Sequence, residues 1–225
     1  MGILMKEIDL TTYKKRNQYH WFSTFPDPSY GFNQRIDVTL LADLAKQRKV
    51  SFFPYMLFLI AKGVNSIEEM RMREVKGHIY LYDVVHPTFT VMTDEGVYQN
   101  AGFLMTNDFG EFERRTREAI DGVCHLPVSD ELDRFPICEQ PDVFYSSSIP
   151  FLSLDSIDQP TPANNHDSLS VPRIVFDRYR READGKCTIL LNIIVSHTLV
   201  DGFPLGRCFE NIQEFAHQKE LFSLR

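Results

Sequence analysis

The stretch IIVSHTLVDGFPLG, residues 193–206, ends an apolar run in a histidine and places an aspartate four residues later. Imidazole titrates near neutrality, so a histidine leaving a buried strand with its ring toward a cleft suits a general base. His197 is that candidate. Asp201 can orient a neighbour or hold the loop through an ion pair, and Gly202 permits a tight turn. The same spacing also fits a core histidine at a strand end with Asp201 capping a helix. On spacing alone, that second reading is the stronger. Other chemistries have less support. The chain has no G-x-G-x-x-G and no P-loop, and G-x-S-x-G and H-E-x-x-H are absent too. The histidines do not cluster in sequence, so no metal is expected.

The elements around this stretch mix strands and helices without strict alternation. NQRIDVTLLADLAKQRKV predicts a short strand and then a helix capped near Thr39, with Leu40, Leu41, Leu44 and Ala45 on one face. FFPYMLFLIAKGVNSI predicts a buried helix with Pro54 in its first turn. HIYLYDVV and TFTVMTD are rich in β-branched and aromatic residues and read as strands. GEFERRTREAIDGV reads as an amphipathic helix ending near Gly122. Residues 126–142 look irregular. DVFYSSSIPFLSL alternates like a strand interrupted at Pro150, and DQPTPANNHDS is a polar loop. PRIVFDRYRREADGKCTILLNIIV predicts a hairpin turning at Ala183–Gly185, whose second arm is buried on both faces. A last helix is expected from Pro204, with Leu205, Phe209, Ile212 and Phe215 at helical spacing. This pattern predicts a mixed α/β sandwich as a single domain over residues 1–225.

Composition narrows the partners. Hydrophobic residues make up 43% of the 225, including 18 Phe and 9 Tyr, enough for a sizeable core. A net charge of −7 argues against a general nucleic-acid binder. No apolar run approaches a membrane span, and MGILMKEIDL is too short and too soon charged for a secretory signal. Cys124, Cys138, Cys187 and Cys208 form no C-x-x-C pair, which fits free thiols in a reducing cytoplasm.

SHTLVDGF resembles the HHxxxDGF signature of the chloramphenicol acetyltransferase family, shared in outline with the dihydrolipoyl acyltransferases. Further segments follow in family order. YKKRNQYHWF resembles W-x-R-K/R-x-x-F, and FFPYMLFLIAKGVN is similar to the F-Y-P helix. MRMR and VVHPTFTVM resemble R-M and D-P-x-F-T-V, and SSSIPFLSLDS resembles S-A-x-P-W-x-x-F-x-S. Together these segments span nearly the whole chain, so the fold expected is a two-layer sandwich of the chloramphenicol acetyltransferase type.

The resemblance implies transfer of an acetyl group from acetyl-CoA to a hydroxyl of chloramphenicol or a related small acceptor, by direct attack. His197 falls on the base and Ser147 on the hydroxyl donor to the oxyanion. Asp201 falls on a structural aspartate and Lys15 on the arginine that pairs with it. Arg178 and Tyr179 resemble a Lys-Tyr pair near the adenine and phosphates of CoA, and Val175 aligns with a threonine near the reacting centre. Phe22, Tyr30, Pro28 and Phe151 fall in the acceptor pocket. The resemblance also implies a homotrimer with active sites between subunits.

Several positions depart from the pattern. Ser196 replaces the first histidine of the doublet, Lys15 an arginine, Val175 a threonine and Phe151 a tryptophan, while Pro26 and Pro28 alter the lining near Phe22 and Tyr30. Losing the arginine fork removes a bidentate pair with Asp201. Acylation of a different alcohol or amine is the alternative within enzymes, and a CoA-binding relative without activity is the alternative outside them.

Overall fold

The computed structural model describes residues 5–125, 127 and 135–224. Along the chain run β1 (Met5–Glu7), α1 (Arg16–Phe22), β2 (Ser29–Asp37), α2 (Thr39–Arg48) and α3 (Phe53–Asn65). Then come β3 (Met72–Val75), β4 (His78–Tyr82), β5 (His86–Met92), β6 (Tyr98–Gly102), α4 (Phe109–Cys124) and β7 (Val143–Ile149). The last third holds α5 (His166–Leu169), β8 (Arg173–Asp177), β9 (Arg180–Arg181), β10 (Cys187–Ser196) and α6 (Gly202–Ala216).

The large sheet has the order β2-β10-β8-β7-β5-β6, with β9 added beside β10; a smaller one has the order β1-β4-β3. β7 runs parallel to both β5 and β8, and the other neighbours are antiparallel. This is the mixed α/β sandwich expected from the sequence. The helix layer covers one face. α3 has Pro54 in its first turn, where the missing N–H costs nothing. Tyr55 through Ala61 are wholly buried, and the helix lies against the sheet with the Phe53 ring 5.3 Å from that of Phe89. Gly63 lets α6 approach: a Cβ there would fall 2.2 Å from Ile212 Cγ1.

Side chains alternate across the sheet with period two. Phe89, Phe144, Ile174, Phe176, Leu191 and Ile193 enter the core under the helices. Their neighbours face the other way and form a register row. Asn100 is opposite Thr90, Ser147 is opposite Val175, Val175 is opposite Asn192, and Asn192 is opposite Asn33. Residues 150–165 run as a strap over this outer face. Ile157 and Leu154 pack there with Val175, Leu190 and Ile149 in a second, smaller apolar cluster. Asn33 fixes the strap from both sides, since its amide donates to Ile157 O and its oxygen accepts from Ile157 N, each at 3.0 Å. The buried Asp177 accepts from Leu154 N and Leu190 N at 2.7 and 2.8 Å.

The structure corrects several expected boundaries. α2 starts at Thr39, but its first turn is held by Asp37, whose carboxylate accepts from Thr39 N and Oγ1. α4 continues to Cys124, and α6 starts at Gly202 rather than Pro204. Two helices were not anticipated. α1 has no capping side chain, and α5, though capped by Asn165 through Ser168 N, is a single turn with no apolar period to follow the cap. The hairpin forms as expected: Glu182 N donates to Lys186 O, and Gly185 takes φ 89°. Much of the irregular segment 126–142 lies outside the described residues; Pro136–Glu139 is a turn of 3-10 helix.

Candidate active site

His197 follows the last residue of β10, and three neighbours set its position. Its backbone N–H donates to Pro28 O at 2.9 Å. Its ring stacks on Phe22, with centroids 3.9 Å apart and planes at 12°. Tyr30 covers it at 4.5 Å, and the Tyr30 hydroxyl donates to Val200 O at 3.1 Å. β2 supplies Tyr30 and α1 supplies Phe22, so both elements exist at this site to hold one imidazole. The approach of β2 to β10 depends on Gly31, where a Cβ would fall 2.3 Å from Ile193 O. Burial, with Asp201 adding to it, pushes the Tyr30 hydroxyl well above its usual range, so it stays a neutral donor.

Nδ1 of His197 is buried and lies 3.4 Å from Asp201 Oδ1, but the two are not aligned as a hydrogen bond. The side chain as a whole is 31% exposed, so Nε2 is the nitrogen left for a substrate. Asp201 opens α6 but makes no side-chain cap to it. It pairs instead with Lys15, Nζ to Oδ2 at 2.9 Å, and Lys15 also reaches Glu69 at 3.4 Å and Leu199 O at 3.4 Å. Burial alone would lower the Lys15 ammonium; the bond to Asp201 and the charges of Asp201 and Glu69 outweigh it and raise the pKa. The helix-cap reading of Asp201 therefore does not hold. Glu69 had no signal in the sequence, because its partner lies more than fifty residues away.

Ser147 lies elsewhere. Its hydroxyl is 2.8 Å from that of Thr90, in the outward row of the sheet. It lines a cavity of about 960 Å³ with Thr90, Val175, Phe151, Gln159 and Arg173. Register separates it from His197. From Ser147 the row crosses Val175 to reach Asn192, and His197 is five residues further along the chain. Two strand spacings and five residues amount to roughly 20 Å. Within one chain the two groups do not meet.

Arg178 and Tyr179 follow β8 and are exposed. The Tyr179 ring lies 4.9 Å from Phe52, and the Arg178 backbone pins the strap through Leu152 O and Ser153 Oγ. The Arg178 guanidinium has no carboxylate partner among the described residues. A free cation beside an exposed aromatic ring fits a phosphate-bearing nucleotide. Phe151 is 67% exposed at the cavity mouth, apart from the Phe22, Pro28 and Tyr30 group. Among the described residues, Asp121, Cys124 and His125 bring three possible metal donors within 4.8 Å, at the end of α4 and outside both groups. His125 Nδ1 is held there by Asp94 at 2.9 Å.

A family model described as chloramphenicol acetyltransferase matches residues 3–213. The chain belongs to the chloramphenicol acetyltransferase family. Membership makes it an acyltransferase. A chloramphenicol acetyltransferase of Escherichia coli is 24% identical over 212 residues, covering 94% of this chain and 93% of its own. One from Bacillus pumilus is 23% identical over 212 residues, covering 93% and 92%. A solved chloramphenicol acetyltransferase has the same fold, with a TM-score of 0.82 at 19% identity, covering 95% of this chain and all of that one. No helix among the described residues is long and apolar enough to cross a membrane. Where the chloramphenicol acetyltransferase signature has its first histidine, Ser196 is buried, with its hydroxyl 2.7 Å from that of Thr198.

Proposed function

We propose that the chain is an acetyl-CoA-dependent O-acetyltransferase acting on chloramphenicol or a related small hydroxyl acceptor. The observation that carries this reading is the immobilised imidazole: His197 is stacked on Phe22, tied to Pro28 and open only at Nε2. His197 takes the proton from the acceptor hydroxyl as that oxygen bonds to the acetyl carbonyl carbon. Ser147 donates to the carbonyl oxygen as it becomes an oxyanion, a contribution of several kcal/mol. When the tetrahedral centre collapses, its carbon–sulfur bond breaks, and His197 returns the proton to the departing thiolate. Acetyl-CoA supplies the activated thioester. Arg178 and Tyr179 hold its nucleotide end, with Val175 near the reacting centre.

Lys15 and Asp201 act as scaffold. Phe22, Tyr30, Pro28 and Phe151 line the acceptor site. The protein works as a cytoplasmic homotrimer of single-domain chains, with His197 of one subunit facing the Ser147 cavity of the next. The wide separation of these residues within a chain supports that arrangement, since both must reach one carbonyl group.

A different alcohol or amine as acceptor is the second reading, favoured by Pro28 beside the histidine and by the polar groups lining the Ser147 cavity. Thiol release from acetyl-CoA distinguishes the two. Release with chloramphenicol that vanishes in His197→Ala supports the first; release only with other alcohols or amines supports the second. CoA binding without turnover on any acceptor contradicts both.

A further inference from the structure

On the strap, the Gln159 side chain has an amide oxygen with no donor among the described residues. Gln159 lines the cavity around Ser147. Its amide nitrogen donates to Arg173 O at 3.4 Å and to Asn192 Oδ1 at 2.5 Å. Arg173 O is a backbone carbonyl and can only accept, so the amide orientation is set: nitrogen toward the sheet, oxygen away from it. Both N–H groups are then used. No described residue donates to Gln159 Oε1. The support beneath it is rigid. Asn192 also donates to Phe32 O at 3.4 Å, and the strap is pinned two residues earlier by the reciprocal Asn33–Ile157 pair.

We propose that Gln159 is a specificity-determining residue whose Oε1 accepts a hydrogen bond from the acceptor substrate. The preferred acceptor would carry a second donor, an O–H or N–H, besides the hydroxyl that is acetylated. This rests on the acetyltransferase reading and on the Ser147 cavity as the place where the acceptor binds. The physical reason is the cost of covering a carbonyl oxygen. An apolar acceptor that displaced water from Oε1 would leave it unpaired, whereas a donor-bearing acceptor would replace that water. Ile149, Val175 and Ile157 supply apolar contact on the same walls, so an acceptor seated against them would cover Oε1 as well.

The test compares chloramphenicol, which has a second hydroxyl and an amide N–H, with its 1-deoxy and N-methyl analogues. Acetylation is measured with wild type, Gln159→Met and the strap control Asn33→Ala. The expected result is that one analogue loses about tenfold in kcat/KM with wild type. Gln159→Met should shrink that loss to within twofold while leaving the KM for acetyl-CoA unchanged. Asn33→Ala keeps the oxygen but unpins the strap two residues away, and should retain more of the wild-type ratio than Gln159→Met. Equal analogue ratios in wild type and Gln159→Met would overturn the role of Gln159 while leaving acetyl transfer intact. A ratio lost in Asn33→Ala as fully as in Gln159→Met would reduce Gln159 to a strap anchor. No acetylation of any of the three compounds by wild type would overturn the chloramphenicol reading, and this inference with it.

Discussion

The end of β10 and the middle of the sheet's outer face are built on different physics. At the strand end, His197 is gripped by two aromatic rings and a backbone hydrogen bond, with the Lys15–Asp201–Glu69 charges beside it. At mid-sheet, Ser147 is one of a row of short polar side chains held by strand register, and its partner is the Thr90 hydroxyl. The first region holds an imidazole by ring stacking beside a charge cluster; the second holds hydroxyl groups in place by strand register. Each is organised without the other, and neither contains all that acetyl transfer needs.

Removing the base should have the largest effect. His197→Ala is expected to cut kcat by about 10² to 10⁴, with the KM for acetyl-CoA little changed, in steady-state thiol release. Ser147→Ala should cut kcat by about 10² or somewhat more and spare substrate binding. A change confined to KM would mean that the mid-sheet region only binds.

The charge cluster should matter less, and mainly for stability. The Lys15 pKa is raised by folding, so its contribution is fully present below the ordinary lysine value of 10.5 and is lost as pH climbs through the raised one. Lys15→Met should therefore lower stability by about 1 kcal/mol at neutral pH, since the pair is only partly buried. Urea melts of the two proteins should converge as pH climbs above 10.5 through the raised pKa. The smallest effect is expected from Thr90→Val, which removes one partner of Ser147 and should slow turnover by less than about tenfold.

Much of the strand-end region was legible in the sequence. His197 and Asp201 sit four residues apart, and the family-like order of segments placed Lys15, Phe22 and Tyr30 with them. The spacing alone pointed to a helix cap, and that was misleading: Asp201 turns to Lys15, a contact across more than 180 residues that no local pattern records. Glu69, Thr90, Gln159 and Asn192 were missed for the same reason. Thr90 and Asn192 read as ordinary strand positions until register sets one beside Ser147 and the other under the strap. The buried helix α3 was readable because its apolar run is continuous, whereas α1 and α5 depend on tertiary contacts.

We propose that a working site is completed between copies of the chain. Mixing inactive His197→Ala with inactive Ser147→Ala, after subunit exchange verified by native mass spectrometry, tests it directly. After random exchange of equal amounts, an intact His197 meets an intact Ser147 at about a quarter of all the interfaces in the pool. Acetyl transfer is expected to return to roughly that share of wild-type activity. Exchanged trimers that stay as inactive as the separate variants would contradict it.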